Sequence, residues 1–197
     1  MAVKEHGEEK MNVELKRQMV HGSGILLILV LQIFGSFWSA IIFASGLAFF
    51  IIWSFMRKSN IRIKAFSGIE DFIIGELKTY ERQGEYFRGV VMYITGILLA
   101  TLLFPVWIAS ACIAVLAGGD SFSTLVGKLY GRHPLPINRK KTWEGSIAFF
   151  LVSLLILWFF DPSKAIYIAL IATFVEMLPR LDDNLTIPLI VGILFSL

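Results

Sequence analysis

The chain has 197 residues, 56% of them hydrophobic and only 17% charged, with a formal net charge of +3 and a mean hydropathy of +0.73. A soluble domain of this length carries more charge, so the composition places the protein in a membrane. The one cysteine, Cys112, lies within an apolar run, which excludes an internal disulfide, a CxxC zinc site and dithiol redox chemistry.

The first twenty residues are polar and mixed in charge, so no cleavable signal peptide is expected. Lys16, Arg17 and His21 lead into the first apolar run, where interfacial snorkelling is enough to explain them. Gly22 to Met56 then passes 35 residues without Asp, Glu, Lys or Arg. A span takes about 20 helical residues, so this run divides, and Gly35-Ser36 is the break, giving spans 22–36 and 38–56. Residues 57–88 form a polar loop. Within it Phe66, Ile69, Ile73, Leu77 and Tyr80 recur at helical spacing between Glu70, Glu76 and Glu81, predicting an amphipathic surface helix. Gly89 to Gly119 is uncharged for 31 residues and divides at Pro105 into spans 89–104 and 106–119. After a polar stretch at 120–145 come spans 146–160, 165–178 and 184–197. Asp161-Pro162-Ser163 separates the first two, and residues 179–183 separate the last two.

The expectation is an all-α integral membrane protein of about seven transmembrane helices, with one membrane-embedded domain over 1–197. Placing the N-terminus in the cytosol puts 17 of the 18 Lys and Arg on cytosolic segments and leaves only Lys164 outside. The spans are short, so some helices should run past the bilayer into the polar loops.

The segment 120–145 carries the densest polar chemistry. As a helix, Asp120 to Tyr130 gathers Asp120, Thr124, Gly127 and Gly131 on one face and sets Phe122, Leu125, Val126 and Leu129 opposite, as a core face. The polar face suits a divalent cation and a phosphate chain approaching bare backbone. Equally, Gly127 and Gly131 suit helix packing, and Asp120 an N-cap. Lys128, Arg132, Arg139, Lys140 and Lys141 follow, and Thr142-Trp143-Glu144-Gly145-Ser146 opens the next helix with groups that grip phosphate oxygens. Trp143 reads as an interfacial anchor. Glu176, an acid inside an apolar span, is a functional candidate by its cost alone. Asp182-Asp183-Asn184 offers paired carboxylates for a metal or a proton, or a helix cap. Divalent ions, cations and a carboxylate at one membrane face are the equipment of phosphoryl transfer to a lipid. No P-loop, protein-kinase motif set or zinc-type His cluster is present.

Gly119-Asp120, Gly127-Lys128 and Gly131-Arg132-His133, followed by Asn138-Arg139-Lys140-Lys141 and Thr142-Trp143-Glu144-Gly145-Ser146, resemble the CTP-dependent lipid-alcohol kinases: dolichol, phytol and fungal-type diacylglycerol kinases. Glu14-Leu15-Lys16-Arg17-Gln18-Met19-Val20-His21 is similar to the family's N-terminal motif, and Glu176, Asp182-Asp183-Asn184 and Pro188 to its C-terminal one. Gln18 stands where a second basic residue is usual, and Ser123 where alanine is common. The resemblance implies transfer of the γ-phosphoryl group of CTP, with a divalent metal such as Mg²⁺, to a membrane lipid alcohol, dolichol or another polyprenol first. It makes Asp120, Glu144, Asp182 and Asp183 metal and nucleotide candidates, with Asp120, Glu176, Asp182 and Asp183 the candidates for catalysis and none of them singled out as the base. Arg17, Lys128, Lys140 and Lys141 become phosphate candidates, joined by Thr124, Gly127, Gly131, Arg132, Thr142, Gly145 and Ser146 from the residue pattern. The chain looks like a minimal prokaryotic or archaeal form, in the plasma membrane with its site at the cytosolic face. Nucleic acid is not an expected partner, and oligomeric state is open. Two rival readings remain: a cytidylyltransferase making a CDP-lipid, and a small transporter. Phe37, Trp38, Phe149 and Phe150 fit the apolar tail of any such lipid.

Overall fold

The computed structural model describes residues 2–59, 87–179 and 182–197, with side chains from residue 11 onward. The expected amphipathic helix within 57–88 falls almost wholly outside the described residues. The described chain is helical, and its only β-type pairing is one bridge between Pro134 and Thr142. Helix α1 (Ala2–Ser23) passes through a 3-10 turn (Gly24–Leu26) into α2 (Leu27–Lys58). After the loop come α3 (Arg88–Leu103), α4 (Val106–Ala114), a π turn (Val115–Asp120) and α5 (Ser121–Tyr130). Helices α6 (Trp143–Phe160), α7 (Pro162–Met177) and α8 (Asp183–Ser196) complete the bundle.

Each break has a local cause. Gly35 has φ 70° and ψ 176°, a conformation essentially closed to residues with a Cβ. There α2 turns back on itself, because the Ser39 hydroxyl donates to the Val30 carbonyl at 3.1 Å. In a straight helix nine residues advance roughly 13.5 Å, far beyond that reach. Pro105, with Phe104 extended before it, divides α3 from α4. Asp161 caps α7 through the Ser163 N–H, and Pro162 fills the first helical position. Each of the seven expected apolar segments is thus helical. The α4–π–α5 run and the α1–α2 run also continue into polar sequence, as the short spans required.

Among the described residues, three helical stretches are long and apolar enough to cross a membrane: Met11–Lys58, which Gly35 divides, Val106–Tyr130 and Trp143–Phe160. Arg88–Leu103 and Asp183–Ser196 are apolar but shorter. Val106–Tyr130 is the central strut, with 72% of its apolar window buried against 17% for Met11–Lys58. Ile108 through Val115 are buried without a break, packed against Ile97 and Ala100 of α3, Phe149 and Leu157 of α6, Ile168 and Ala172 of α7 and Val191 of α8. Around this core Phe37, Trp38, Phe55, Leu155, Phe159 and Phe174 project outward. Apolar surface on that scale marks a membrane protein rather than a soluble one.

Two expectations are corrected. Phe122 and Leu129 of α5 are half exposed, so the apolar side of α5 faces outward and the polar side faces the protein. In lipid the surroundings are as apolar as the core, and the polar groups are the ones that need protein partners. Phe149 is fully buried against Gly119, a core residue rather than part of a lipid-lining surface.

Candidate active site

Residues 131–142 form a tight hairpin between α5 and α6. Leu135 N–H donates to the Lys141 carbonyl at 2.9 Å, Trp143 N–H to the His133 carbonyl at 3.0 Å, and Leu135 is buried beneath. Thr142 caps α6 by accepting from the Gly145 N–H at 3.2 Å. This hairpin turns Lys141 inward while Arg132, Arg139 and Lys140 stay on its exposed side.

Lys141 meets two acids there. Its Nζ lies 2.8 Å from Glu176 Oε1 and 2.7 Å from Asp183 Oδ2, and also donates to the Glu176 carbonyl at 2.5 Å. Burial alone would push this ammonium's pKa down, but the charges of Asp183 and Glu176 outweigh it and hold the pKa above the usual lysine value. Lys141 is therefore a fixed positive charge at neutral pH. Glu176 is buried on α7 and also accepts from Ser123 at 2.9 Å and Ser146 at 3.0 Å. Both its oxygens are occupied, which makes it the post to which α5, α6 and the hairpin are tied.

Asp182 caps α8, accepting from the Asn184 backbone N–H at 3.2 Å and its side-chain amide at 3.1 Å. Asp183 Oδ1 and Asn184 Oδ1 are buried without hydrogen-bond partners. Gly96 of α3 admits this turn: a Cβ there would lie 1.9 Å from the Asn184 carbonyl oxygen. Asp120, at the end of the π turn, has Oδ2 3.3 Å from His21 Nε2, though not in hydrogen-bond alignment. The His21 ring packs against Tyr93, whose hydroxyl donates to the His21 carbonyl at 3.0 Å. Lys141, Glu176, Arg17 and Asp182 are all close enough for their charges to act on Asp120. Five elements thus converge: α1, the π turn, the hairpin, α7 and α8.

Other sequence candidates stand elsewhere. Glu144 accepts from the Arg132 N–H at 3.1 Å and the His133 N–H at 3.4 Å, with His133 Nδ1 at 2.6 Å, so it braces the outer hairpin. Gly127, Gly131, Gly145 and Thr142 form a close helix contact. A Cβ on Gly145 would lie 2.8 Å from the Ser123 carbonyl and 3.3 Å from Gly127 Cα. Of the two uses open for these glycines, packing is the one the geometry displays. Thr124 is half buried on the inward side of α5, and Trp143 is exposed as an interfacial anchor would be.

Comparison with known proteins adds the decisive observation. No family model and no solved structure matches the chain. The probable phytol kinase 2 of Glycine max is 31% identical over 74% of the chain and 59% of its own length. The probable phytol kinase of Zea mays is 30% identical over 89% of the chain and 63% of its own length. The phytol kinase 1 of Arabidopsis thaliana is 28% identical, with the same two coverages. This chain belongs to the same family as these phytol kinases. It spans about three-fifths of the length of the relatives it matches.

Among the described residues of this phytol-kinase relative, no group of three or more His, Cys, Asp or Glu side chains is placed to hold a metal by itself. The residues still fit a divalent cation of one kind. Mg²⁺ keeps several waters and is usually bound by one or two carboxylates plus substrate phosphates. Asp183, with its unpartnered buried oxygen, and Asp120 would be the two carboxylates to offer such an ion. Glu144, occupied at the hairpin, is not one of them in this arrangement.

Sequence reasoning missed Ser123 as a partner of Glu176 and Tyr93 as a member of the site, and it named Glu14 and His21 within the N-terminal motif without giving them a role. One signal was available: Glu14, Arg17, Gln18 and His21 recur at i, i+3, i+4 and i+7, a polar stripe down one face of α1.

Proposed function

We propose that the protein is a membrane kinase that transfers the γ-phosphoryl group of CTP to the hydroxyl of an isoprenoid lipid alcohol. The observation that carries this reading is the convergence of Asp120, Asp183, Lys141 and Arg17 at one end of an apolar bundle, beside a family whose curated members are named phytol kinases. Those names favour phytol as the acceptor ahead of dolichol or another polyprenol. Arg17, Lys128 and Lys141 would hold the phosphates. Asp120 and Asp183 would hold a Mg²⁺ that neutralises phosphate charge, and one of the two would accept the proton of the alcohol. Glu176 would position Lys141 rather than react. CTP as donor rests on the family resemblance of the motifs.

The same reading makes residues 1–197 one membrane-embedded unit of seven spans with a cytosolic N-terminus. The site then opens on the cytosolic face of a prokaryotic plasma membrane. Lys164, in the first turn of α7, donates to the Phe195 carbonyl near the end of α8, so it lies at the end of the bundle away from Asp183.

The test is purified protein with γ-labelled CTP, Mg²⁺ and a panel of phytol, geranylgeraniol, polyprenol, dolichol and diacylglycerol. Label in a lipid phosphate supports the kinase, and the preferred alcohol names the acceptor. Label released as pyrophosphate with a CDP-lipid product overturns it.

A further inference from the structure

Glu14 lies under two of the cations assigned to the phosphates. It is 7% exposed and faces α5 from the polar stripe of α1. Its Oε1 is 2.7 Å from an Arg17 guanidinium nitrogen and accepts from Gln18 Nε2 at 2.8 Å, while its Oε2 accepts from Lys128 Nζ. One buried carboxylate therefore holds a cation from its own helix and another from a helix more than a hundred residues away.

The two cations are not covered. The side chains of Arg17 and Lys128 are 33% and 48% exposed. Guanidinium carries five N–H donors and ammonium three, so most remain available beyond the contact with Glu14. The triad's net charge is +1. Arg17 is also close enough for its charge to act on Asp120, one of the two carboxylates proposed for the cation.

A simple clamp between α1 and α5 would not need this chemistry. Apolar side chains of similar volume join helices as well or better, because a buried charge must first lose its water. A carboxylate beneath two half-exposed cations does something apolar residues cannot: it suppresses their mutual repulsion and fixes their spacing before an anion arrives. A polyphosphate is the ligand that such a preset pair fits, with Arg17 offering its planar fork and Lys128 a compact charge.

We propose that Glu14 is a positioning residue for the nucleotide phosphates, holding Arg17 and Lys128 side by side as a preformed polyphosphate grip. The inference rests on the kinase reading and adds to it a residue that touches neither nucleotide nor lipid.

The experiment measures binding of inorganic triphosphate with Mg²⁺ by calorimetry on detergent-purified wild type, Glu14→Gln and Glu14→Asp, with initial-rate kinetics in CTP. Glu14→Gln should weaken triphosphate binding and raise KM for CTP, each by about tenfold, while kcat stays within about threefold. Glu14→Asp keeps the charge but is too short to span both cations, so it should fall between. Should Glu14→Gln fail to fold, the Asp variant decides. Wild-type affinity in a folded variant, with only the unfolding temperature lowered, reduces Glu14 to a helix clamp and overturns the inference. Tighter binding in Glu14→Gln makes Glu14 a competitor of phosphate and overturns it as well. Wild type that binds no triphosphate defeats the kinase reading itself.

Discussion

Glu176 is a fully buried acid and Asp120 a partly exposed one, and their surroundings give them different work. Glu176 has Lys141, Ser123 and Ser146 on its two oxygens. Removing it would leave a buried ammonium and two hydroxyls short of a partner, so Glu176→Ala should cost about 3–5 kcal/mol in detergent unfolding, with activity lost alongside. Asp120 ties down little besides the loose His21 contact. Asp120→Asn should lower turnover by at least about 100-fold while leaving the unfolding temperature within a few degrees. Equal activity in Asp120→Asn would remove it from the chemistry. The sequence marked Glu176 because an acid in an apolar span is costly, and Asp120 because it shares a polar face with Thr124, Gly127 and Gly131. It could not rank them, since their partners come from other helices.

At the scale of elements, two glycines do unlike jobs. Gly35 makes the α2 turn through its backbone conformation alone, and nothing stands within 4 Å of where a Cβ would go. Gly35→Ala should therefore cost about 1–3 kcal/mol as backbone strain, with no steric clash, and leave the proposed binding of CTP unaltered. Gly96 is an ordinary helical glycine by conformation, yet its missing side chain lets α3 meet the turn that carries Asp182, Asp183 and Asn184. Gly96→Ala should destabilise the protein by about 2 kcal/mol or more, and it should weaken nucleotide binding although it alters no polar group. Intact binding would show that the α8 turn shifts without harm to the site. The break at Gly35 was legible because a glycine in an over-long apolar run is a local signal. Gly96 carries no such mark, because its reason lies in Asn184, far along the chain.

At the scale of the molecule, an apolar belt surrounds the core and the polar groups of the candidate site gather at one end. The proposed seven-span topology leaves Lys164 as the lone cation on the opposite face. A membrane-impermeant amine reagent added outside intact cells should reach Lys164 and leave Lys128 and Lys140 unlabelled. Labelling of Lys140 instead would invert the orientation.

Helical class, membrane residence and the breaks at Gly35, Pro105 and Asp161-Pro162 were determined by the sequence alone. Each depends on run length or on the backbone limits of one or two residues, which are local properties. The family was legible too, because its motifs are short and contiguous. Only the tertiary structure decided that Lys141 belongs to Glu176 and Asp183, that Glu14 gathers Arg17 and Lys128, and that Glu144 braces the hairpin. It also decided that Gly127 and Gly145 are packing surfaces and that α5 turns its apolar face outward. A polar group in an apolar bundle must find a partner, and the sequence states that need. Which partner it finds depends on how distant helices pack, and no local pattern records that.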